Sequence, residues 1–394
     1  MESLPQELKD IIIDCLPPGD MGSFRNCSVV AKSWINASRK RLFESVRTGP
    51  RNLLPWLDRI SQENVDLLRH VRELTCFQEF SATEQALQDT PPDHFRFLRQ
   101  LRHLNLGLAD ISLSSKEIGS FHAFKFTLSS INLVMCRISR GTLIALINYF
   151  PNLEILCLVH LFCRKPSDKI PLLPRPPLKR LHIDDGLPDF LDLLNDLSGL
   201  GLRVDEVIFK PTNPSQGFVN RVASAFGANL QCLRLPRVTS SMCNPTYSYR
   251  EIPTHDSLID RESLTLSPCH ELRELEFEIS AYPLNGNQLD FVLSVTSTKI
   301  ERIIIYRSRK IVHPVGDAVW TRLDSLLTEL AERLVNGIRL EVEFRGSWDV
   351  GENEFEQKKV RLPGFIEKGR ITLWSCDNEL VYCSDVPEAM MYRR

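Results

Sequence analysis

An apolar hexad of the form L-x-x-L-x-L recurs along most of the chain and constrains its fold more than any other feature. LRHLNL covers 101–106, LSSINL 128–133, LEILCL 153–158 and LKRLHI 178–183. VDEVIF follows at 204–209, LQCLRL at 230–235, LRELEF at 272–277 and IERIII at 300–305. The last apolar positions are 106, 133, 158, 183, 209, 235, 277 and 305, in steps of 27, 25, 25, 26, 26, 42 and 28. A unit repeated at such a period cannot bury its apolar face alone, so neighbouring copies must stack and share one core. Weaker copies stand at VRELTC (71–76), IRLEVEF (338–344) and GRITLW (369–374). Between copies lie TLIALINYF (142–150), PDFLDLLNDL (188–197), GFVNRVASAF (217–226), NQLDFVLSV (287–295) and WTRLDSLLTELAERLV (320–335), whose apolar residues keep helical spacing. The expected class is α/β, with short parallel strands alternating with outer helices. A sheet without repeat order is the alternative.

LSSINLVMCRI (128–138) resembles the leucine-rich repeat, L-x-x-L-x-L-x-x-C-x-L, almost completely. Other copies lack Asn or Cys at the later position, where Ala109, Leu161 and Val238 stand. The resemblance implies a curved solenoid over 98–344, with 47–97 as a connecting helical or first atypical repeat segment and 345–394 as a C-terminal cap. A polar stretch at 239–268, with Tyr247 and Tyr249, lengthens one step by about 16 residues (42 − 26). In such a solenoid the residues between the apolar ridges face outward on the concave side. The implied target-binding set is Asn105, Asn132, Arg180, His182, Arg234, Glu276 and Ile304, in a mixed row that also holds Cys157 and Ile208. Arg180, His182 and Arg234 on one side, and Glu274, Glu276 and Glu278 further along, suggest a charge-polarised face. A plain solvated sheet face is the alternative.

The first 46 residues read differently. Ser3-Leu4-Pro5-Gln6 fits a capping box with Ser3 as N-cap. Leu4, Leu8, Ile11, Ile12, Cys15 and Leu16 then recur as one apolar stripe. Pro17-Pro18-Gly19-Asp20 ends that helix, and Asp20 can cap the next. Phe24, Cys27, Val30, Ala31 and Trp34 form a second stripe, followed by Ile35, Leu42 and Phe43. Helices this short cannot hide so much apolar surface among themselves. Either they cap the rest of the chain or they meet another protein.

LPQELKDIIIDCLPPGDM followed by NCSVVAKSW resembles the F-box, with Leu4, Pro5, Glu7, Leu8, Ile12 (or Ile11), Leu16, Pro17, Asp20, Val30 and Trp34 in register. Met21 and Val29 stand where that family usually has Leu. The resemblance implies docking to the Skp-type adaptor of a cullin ubiquitin ligase through Leu4, Pro5, Leu8, Ile12, Leu16, Pro17, Met21 and Val30. Trp34 is expected between the helices as well as toward the partner. Apolar anchors on a helix would carry most of that energy.

Composition narrows the function. Forty-eight basic residues against 50 acidic leave a net charge of −2, which disfavours nucleic acid or an anionic membrane as the main partner. Eleven cysteines, odd in number and without a CxxC pair, suggest buried thiols in a reducing compartment. MESLPQELKD has no basic segment leading into an apolar run, so no secretory signal is expected. No apolar stretch approaches the roughly 18 residues of a membrane helix. No phosphate-cradling glycine motif and no GxSxG elbow occurs. His182 with Asp184 and Asp185 offers too few ligands for zinc. Cys157, His160 and Cys163 lack ligand spacing, and Arg307-Ser308-Arg309-Lys310 reads as a solvated turn. The expected protein is a non-catalytic substrate receptor of the cytoplasm or nucleus, binding an adaptor and a target protein, without metal, cofactor, small-molecule substrate, nucleic acid or membrane. The alternative is a repeat scaffold working outside ubiquitination.

Overall fold

The hexads become strands and most of their apolar positions are buried in the computed structural model. It describes residues 4–17, 20–30, 32–63, 65–77, 92–107, 110–111, 118–164, 178–184, 197, 202–210, 216–235, 265–279, 294–307, 317–334, 338–346, 362–374 and 380–383. The chain divides into two units, Met1–Leu178 and Lys179–Arg394.

The first unit opens with α1 (Gln6–Cys15), α2 (Met21–Val30) and α3 (Lys32–Glu44). Strand β1 (Ser45–Thr48) follows α3 directly, without a linker. Then come α4 (Pro50–Glu63), α5 (Val65–Leu68) and β2 (Glu73–Phe77), a 3₁₀ turn at Pro92–Phe97, and β3 (His103–Gly107) with the short β4 (Asp110–Ile111). A second 3₁₀ turn at Gly119–Phe124 leads to β5 (Ser130–Val134), β6 (Arg137–Ser139), α6 (Arg140–Tyr149), β7 (Ile155–Val159) and β8 (Phe162–Arg164). The main strands lie parallel in chain order, β1-β2-β3-β5-β7, and β4-β6-β8 form a parallel side sheet. Parallel neighbours need a crossover connection, which the helices and 3₁₀ turns supply.

Register makes the repeat concrete. Val46, Leu74, Leu104, Ile131 and Leu156 pair in succession across the sheet, and all are buried. On the helical side, Phe95, Phe121, Phe124 and Phe150 pack edge-to-face or stacked, with centroids 5.3–6.4 Å apart. Phe95 from the first 3₁₀ turn, Phe121 and Phe124 from the second and Phe150 at the end of α6 thus form one aromatic cluster. The side sheet arises from the C-x-L portion of the repeat: Cys136 and Ile138 are buried, and the Cys136 thiol donates to the Leu106 carbonyl. The bend into it places Met135 (φ 53°) and His160 (φ 48°) at equivalent points, each directly after a main strand.

The second unit contains β9 (Arg180–Asp184), β10 (Glu206–Lys210), α7 (Gln216–Phe226), β11 (Cys232–Arg234), β12 (Glu274–Ile279) and β13 (Arg302–Arg307). After these come α8 (Asp317–Arg333), β14 (Glu341–Gly346), α9 (Pro363–Ile366), β15 (Arg370–Trp374) and β16 (Leu380–Cys383). Strands β9 to β15 are parallel in chain order, and β16 closes the edge antiparallel to β15. Leu181, Val207, Leu233, Leu275, Ile303, Val342 and Ile371 form its buried ridge. Each buried aliphatic of this kind is worth about 1.5–3 kcal/mol of transfer free energy.

The expected helices at 142–150, 217–226 and 320–335 appear as α6, α7 and α8. Most of 188–197 and 287–295, and 239–264 of the polar insertion, lie outside the described residues. Two boundaries shift. The sheet begins at Ser45, inside the segment expected to be purely helical, and parallel order continues past residue 344 to β15. Among the described residues no helix is long and apolar enough to cross a membrane.

Candidate functional site

The three N-terminal helices enclose a small core of Ile13, Phe24 and Trp34, with Leu4, Leu16, Cys27, Ala37 and Leu42 packed around it. Asp20 caps α2 by accepting from the Ser23 amide at 3.0 Å, and that hydrogen-bonding holds its carboxyl below the usual value. At α1 the expectation fails. Pro5, not Ser3, is the N-cap residue and gives no side-chain bond. Gln6 donates forward to Asp10 instead, since Nε2 lies 2.8 Å from its carboxylate. Ser3 lies outside the described residues.

The single stripe read from α1 is two. Ile13 turns inward at 1% exposure, flanked by Leu16 and by Lys9, whose ammonium donates to the Ser33 hydroxyl at 2.9 Å. Leu8, Ile11 and Ile12 remain 45%, 56% and 41% exposed, and Cys15 continues the same outer face at helical spacing. Met21 (37%) and Val29 (81%) on α2 are exposed as well. Residues 8, 11, 12 and 15 follow the i, i+3, i+4, i+7 pattern of an amphipathic face, and all four are exposed.

The residues expected to bind an adaptor therefore differ in accessibility. Pro5, Leu8, Ile12, Pro17 and Met21 are exposed, Leu4 and Leu16 are half-buried, and Trp34 is core. Val30 lies in α2. Ile11, absent from the expected set, is more exposed than Leu8 or Ile12; its spacing to both was the available signal.

Ion pairs tie this helical module to the first strands. Arg41 bridges Asp14 (2.6 Å) and Glu44 (2.8 Å), and Arg72 reaches Glu44 at 3.0 Å. A cleft of about 350 Å³ opens there, with Leu16, Met21 and Phe24 on one wall and Arg41, Arg72 and Arg102 among its charged lining.

The sheet faces hold the expected target-binding residues. In the first unit, Arg47, Thr75, Asn105, Asn132 and Cys157 are register neighbours. Asn105 donates to both Glu73 and Thr75 at 2.9 Å, so this row is partly consumed by its own ladder.

In the second unit the expected polarisation is replaced by interleaving. Arg234 lies 3.2 Å from Glu206, 3.3 Å from Glu274 and 3.6 Å from Glu276. Arg302 bridges Glu274 and Glu343, Arg345 also holds Glu343, and Arg180 pairs with Glu206. Parallel register sets Arg beside Glu on neighbouring strands, and opposite charges side by side are the stable choice. Burial alone would lower the pKa of Arg234, yet Cys232, Glu206 and Glu274 together raise it, so it stays charged. Cys232 sits between the two glutamates, its thiol 3.6 Å from Glu274, and burial pushes its pKa up to about 12.

Exposure corrects two members of the expected set. Ile304 and Glu276 are buried on this face and cannot meet a target directly. Arg180 and Arg234 are exposed at their tips, while Asn105, Asn132 and His182 are half-buried. Cys157 belongs to the main sheet and Cys163 to the side sheet, so strand pairing separates that loose cluster. Among the described residues no group of three His, Cys, Asp or Glu side chains is placed to hold a metal ion.

No family model matches the chain, and no curated protein resembles it at a significant level.

Proposed function

We propose that the chain is the substrate-recognition subunit of a Skp–cullin–F-box ubiquitin ligase, an F-box joined to leucine-rich repeats. The observation that carries this reading is the uncovered apolar face Leu8–Ile11–Ile12–Cys15 on the very segment that resembles the F-box, beside an independent core of Ile13, Phe24 and Trp34. A helix with its own core facing in and a second apolar face outward is built for helix-in-groove docking. The parallel sheets supply the target-binding surface. The subunit performs no bond chemistry; it raises the effective concentration of target lysines near the ubiquitin-charged enzyme. Such a ligase subunit works in the cytoplasm or nucleus.

The direct test is calorimetric titration of the full chain with a Skp-type adaptor. Leu8→Asp and Ile12→Asp are expected to abolish binding while leaving the melting temperature unchanged, because both positions are exposed. Absence of binding by the intact chain, or normal binding by Leu8→Asp, overturns the reading.

A second reading, a repeat scaffold whose helices only cap the sheet, draws on the unbroken passage from α3 into β1 and on the Arg72–Glu44 pair. It predicts that the same two substitutions leave every interaction of the chain intact.

A further inference from the structure

The edge at which the first unit's strands begin carries an unbalanced charge. Backbone hydrogen bonds stack the residues that precede successive strands, from Glu44 through Arg72 and Arg102 to Ser129 and Glu154. Three residues before Arg72, Arg102 and Ser129 stand Arg69, Arg99 and Phe126. The Thr127 hydroxyl donates to the Arg99 carbonyl at 3.2 Å and ties the last two of these together. Arg69, Arg99, Arg102 and Lys40 of α3 are exposed, and Arg72 is half-buried. Arg69 has an exposed pair with Asp66 at 3.4 Å, and Arg72 gives Glu44 one of its nitrogens. Lys40, Arg99 and Arg102 have no carboxylate partner among the described residues. His70 reports the local field: burial first, then Arg69 and Lys40, hold its imidazole below the ordinary value, with Arg72 adding and Asp66 opposing. Next to these cations Phe126 is 64% exposed, with the Lys125 ammonium 5.5 Å from its ring centroid. An exposed ring beside unpaired guanidinium groups suits a partner that is anionic and apolar at once.

We infer that this edge docks an extended peptide segment in which a short run of carboxylates is flanked by an apolar side chain. The carboxylates meet the group Arg69, Arg72, Arg99 and Arg102, and the apolar side chain packs on Phe126. These arginines belong to two adjacent repeats. With strands about 4.8 Å apart, the cationic stretch is about 10 Å across, which roughly three residues of extended chain cover at about 3.3 Å each. Phe126 belongs to the next repeat, one strand spacing further on. A polynucleotide fits less well, because its affinity comes from many phosphate contacts along an extended basic track. Here the stacked column turns to Ser129 and Glu154 on one side and to Glu44 on the other. The inference does not rest on adaptor docking and holds equally for a scaffold.

The test uses the full chain and fluorescence anisotropy with labelled peptides. The first carries a run of Glu with Leu at each end, so that either chain direction can bring a Leu to Phe126. A second peptide replaces Glu by Gln, and a third replaces Leu by Ser. A single-stranded oligonucleotide and phosphatidylserine vesicles complete the set. The first peptide is expected to bind at least about tenfold tighter than the Gln peptide, as loss of two or more exposed charge pairs would give, and about threefold tighter than the Ser peptide. Its affinity should fall as salt is raised from about 0.05 to about 0.5 M. The oligonucleotide and the vesicles are expected to bind more weakly. Arg99→Glu and Arg102→Glu should each weaken the first peptide at least about fivefold, and Phe126→Ser about threefold. All three should leave the melting temperature unchanged, because these side chains are exposed. Arg273→Ala, in the second unit, should change nothing. Equal affinity for the Glu and Gln peptides, insensitivity to both arginine variants or to Phe126→Ser, or tighter binding of the oligonucleotide or the vesicles overturns the inference. Adaptor titration of the same sample reports separately on the proposed function.

Discussion

Lys9 and Ser33 join α1 to α3 through a hydrogen bond of 2.9 Å from the ammonium of a lysine that is 4% exposed. A buried cation is tolerated only while its donors are satisfied. Ser33→Ala is expected to destabilise the chain by about 1–3 kcal/mol, because it strands the ammonium, whereas Lys9→Met should cost under about 1 kcal/mol. Urea midpoints followed by tryptophan fluorescence distinguish the two. A Ser33→Ala protein as stable as the parent would refute the role given to this contact.

The inner and outer faces of α1 should separate cleanly on mutation. Ile13→Ala opens a cavity against Phe24 and Trp34 and is expected to cost about 2–4 kcal/mol, while Ile11→Ala should stay within about 0.5 kcal/mol. Thermal melts of both variants decide the point. Equal losses would mean that the helix is rotated from the orientation described.

Burial gives the thiols a pH signature. It pushes Cys76 up to about 11 and Cys232 and Cys269 up to about 12, from an ordinary value of 9.0. The unfolded chain therefore ionises these groups first. Their contribution to stability is complete below about pH 9 and is lost as pH rises toward 11–12. Urea midpoints should fall steadily above pH 9. Exposed Cys15 should be alkylated by iodoacetamide within minutes at pH 8, and these three only on unfolding, as mass spectrometry of peptides will show. Rapid labelling of Cys232 in the folded chain would contradict its placement.

Gly369 approaches the Phe365 ring so closely that an added Cβ would sit 2.0 Å from it. Phe365 is fully buried and cannot swing away. Gly369→Ala is expected to cost about 1–3 kcal/mol by overpacking, measurable as a lowered melting temperature. An unchanged melt would show that α9 is free to shift.

Much of this architecture was legible because parallel strands buried by repeat stacking leave a rigid signature, the L-x-x-L-x-L ridge, that maps onto Leu74 through Leu156 and Leu181 through Ile303 in register. Strand β1 was not legible. Its sequence, SVRT, offers one apolar residue, and its place depends on pairing with β2, a contact made between distant residues. The inward side of α1 was hidden for a different reason. Leu8, Ile11, Ile12 and Ile13 cover more than half of the helix circumference, so spacing alone could not single out Ile13; Phe24 and Trp34 select it. The row expected to face outward in the second unit is mixed in accessibility. Ile304 and Glu276 keep the alternation of a strand, but burial removes both from solvent, and Arg234 lies over Glu276 from the neighbouring strand.

The direct passage of α3 into β1 has a consequence for how such a chain can vary. A helix advances its side chains by about 100° per residue and a strand by 180°, so one inserted residue at the Glu44–Ser45 junction would swing Glu44 away from Arg72 or turn Val46 out of the sheet. The junction acts as a phase lock. Length changes can accumulate between repeats, as the step of 42 residues attests, but at this seam the two periodicities must stay in step or the Glu44–Arg72 pair and the burial of Val46 are lost together.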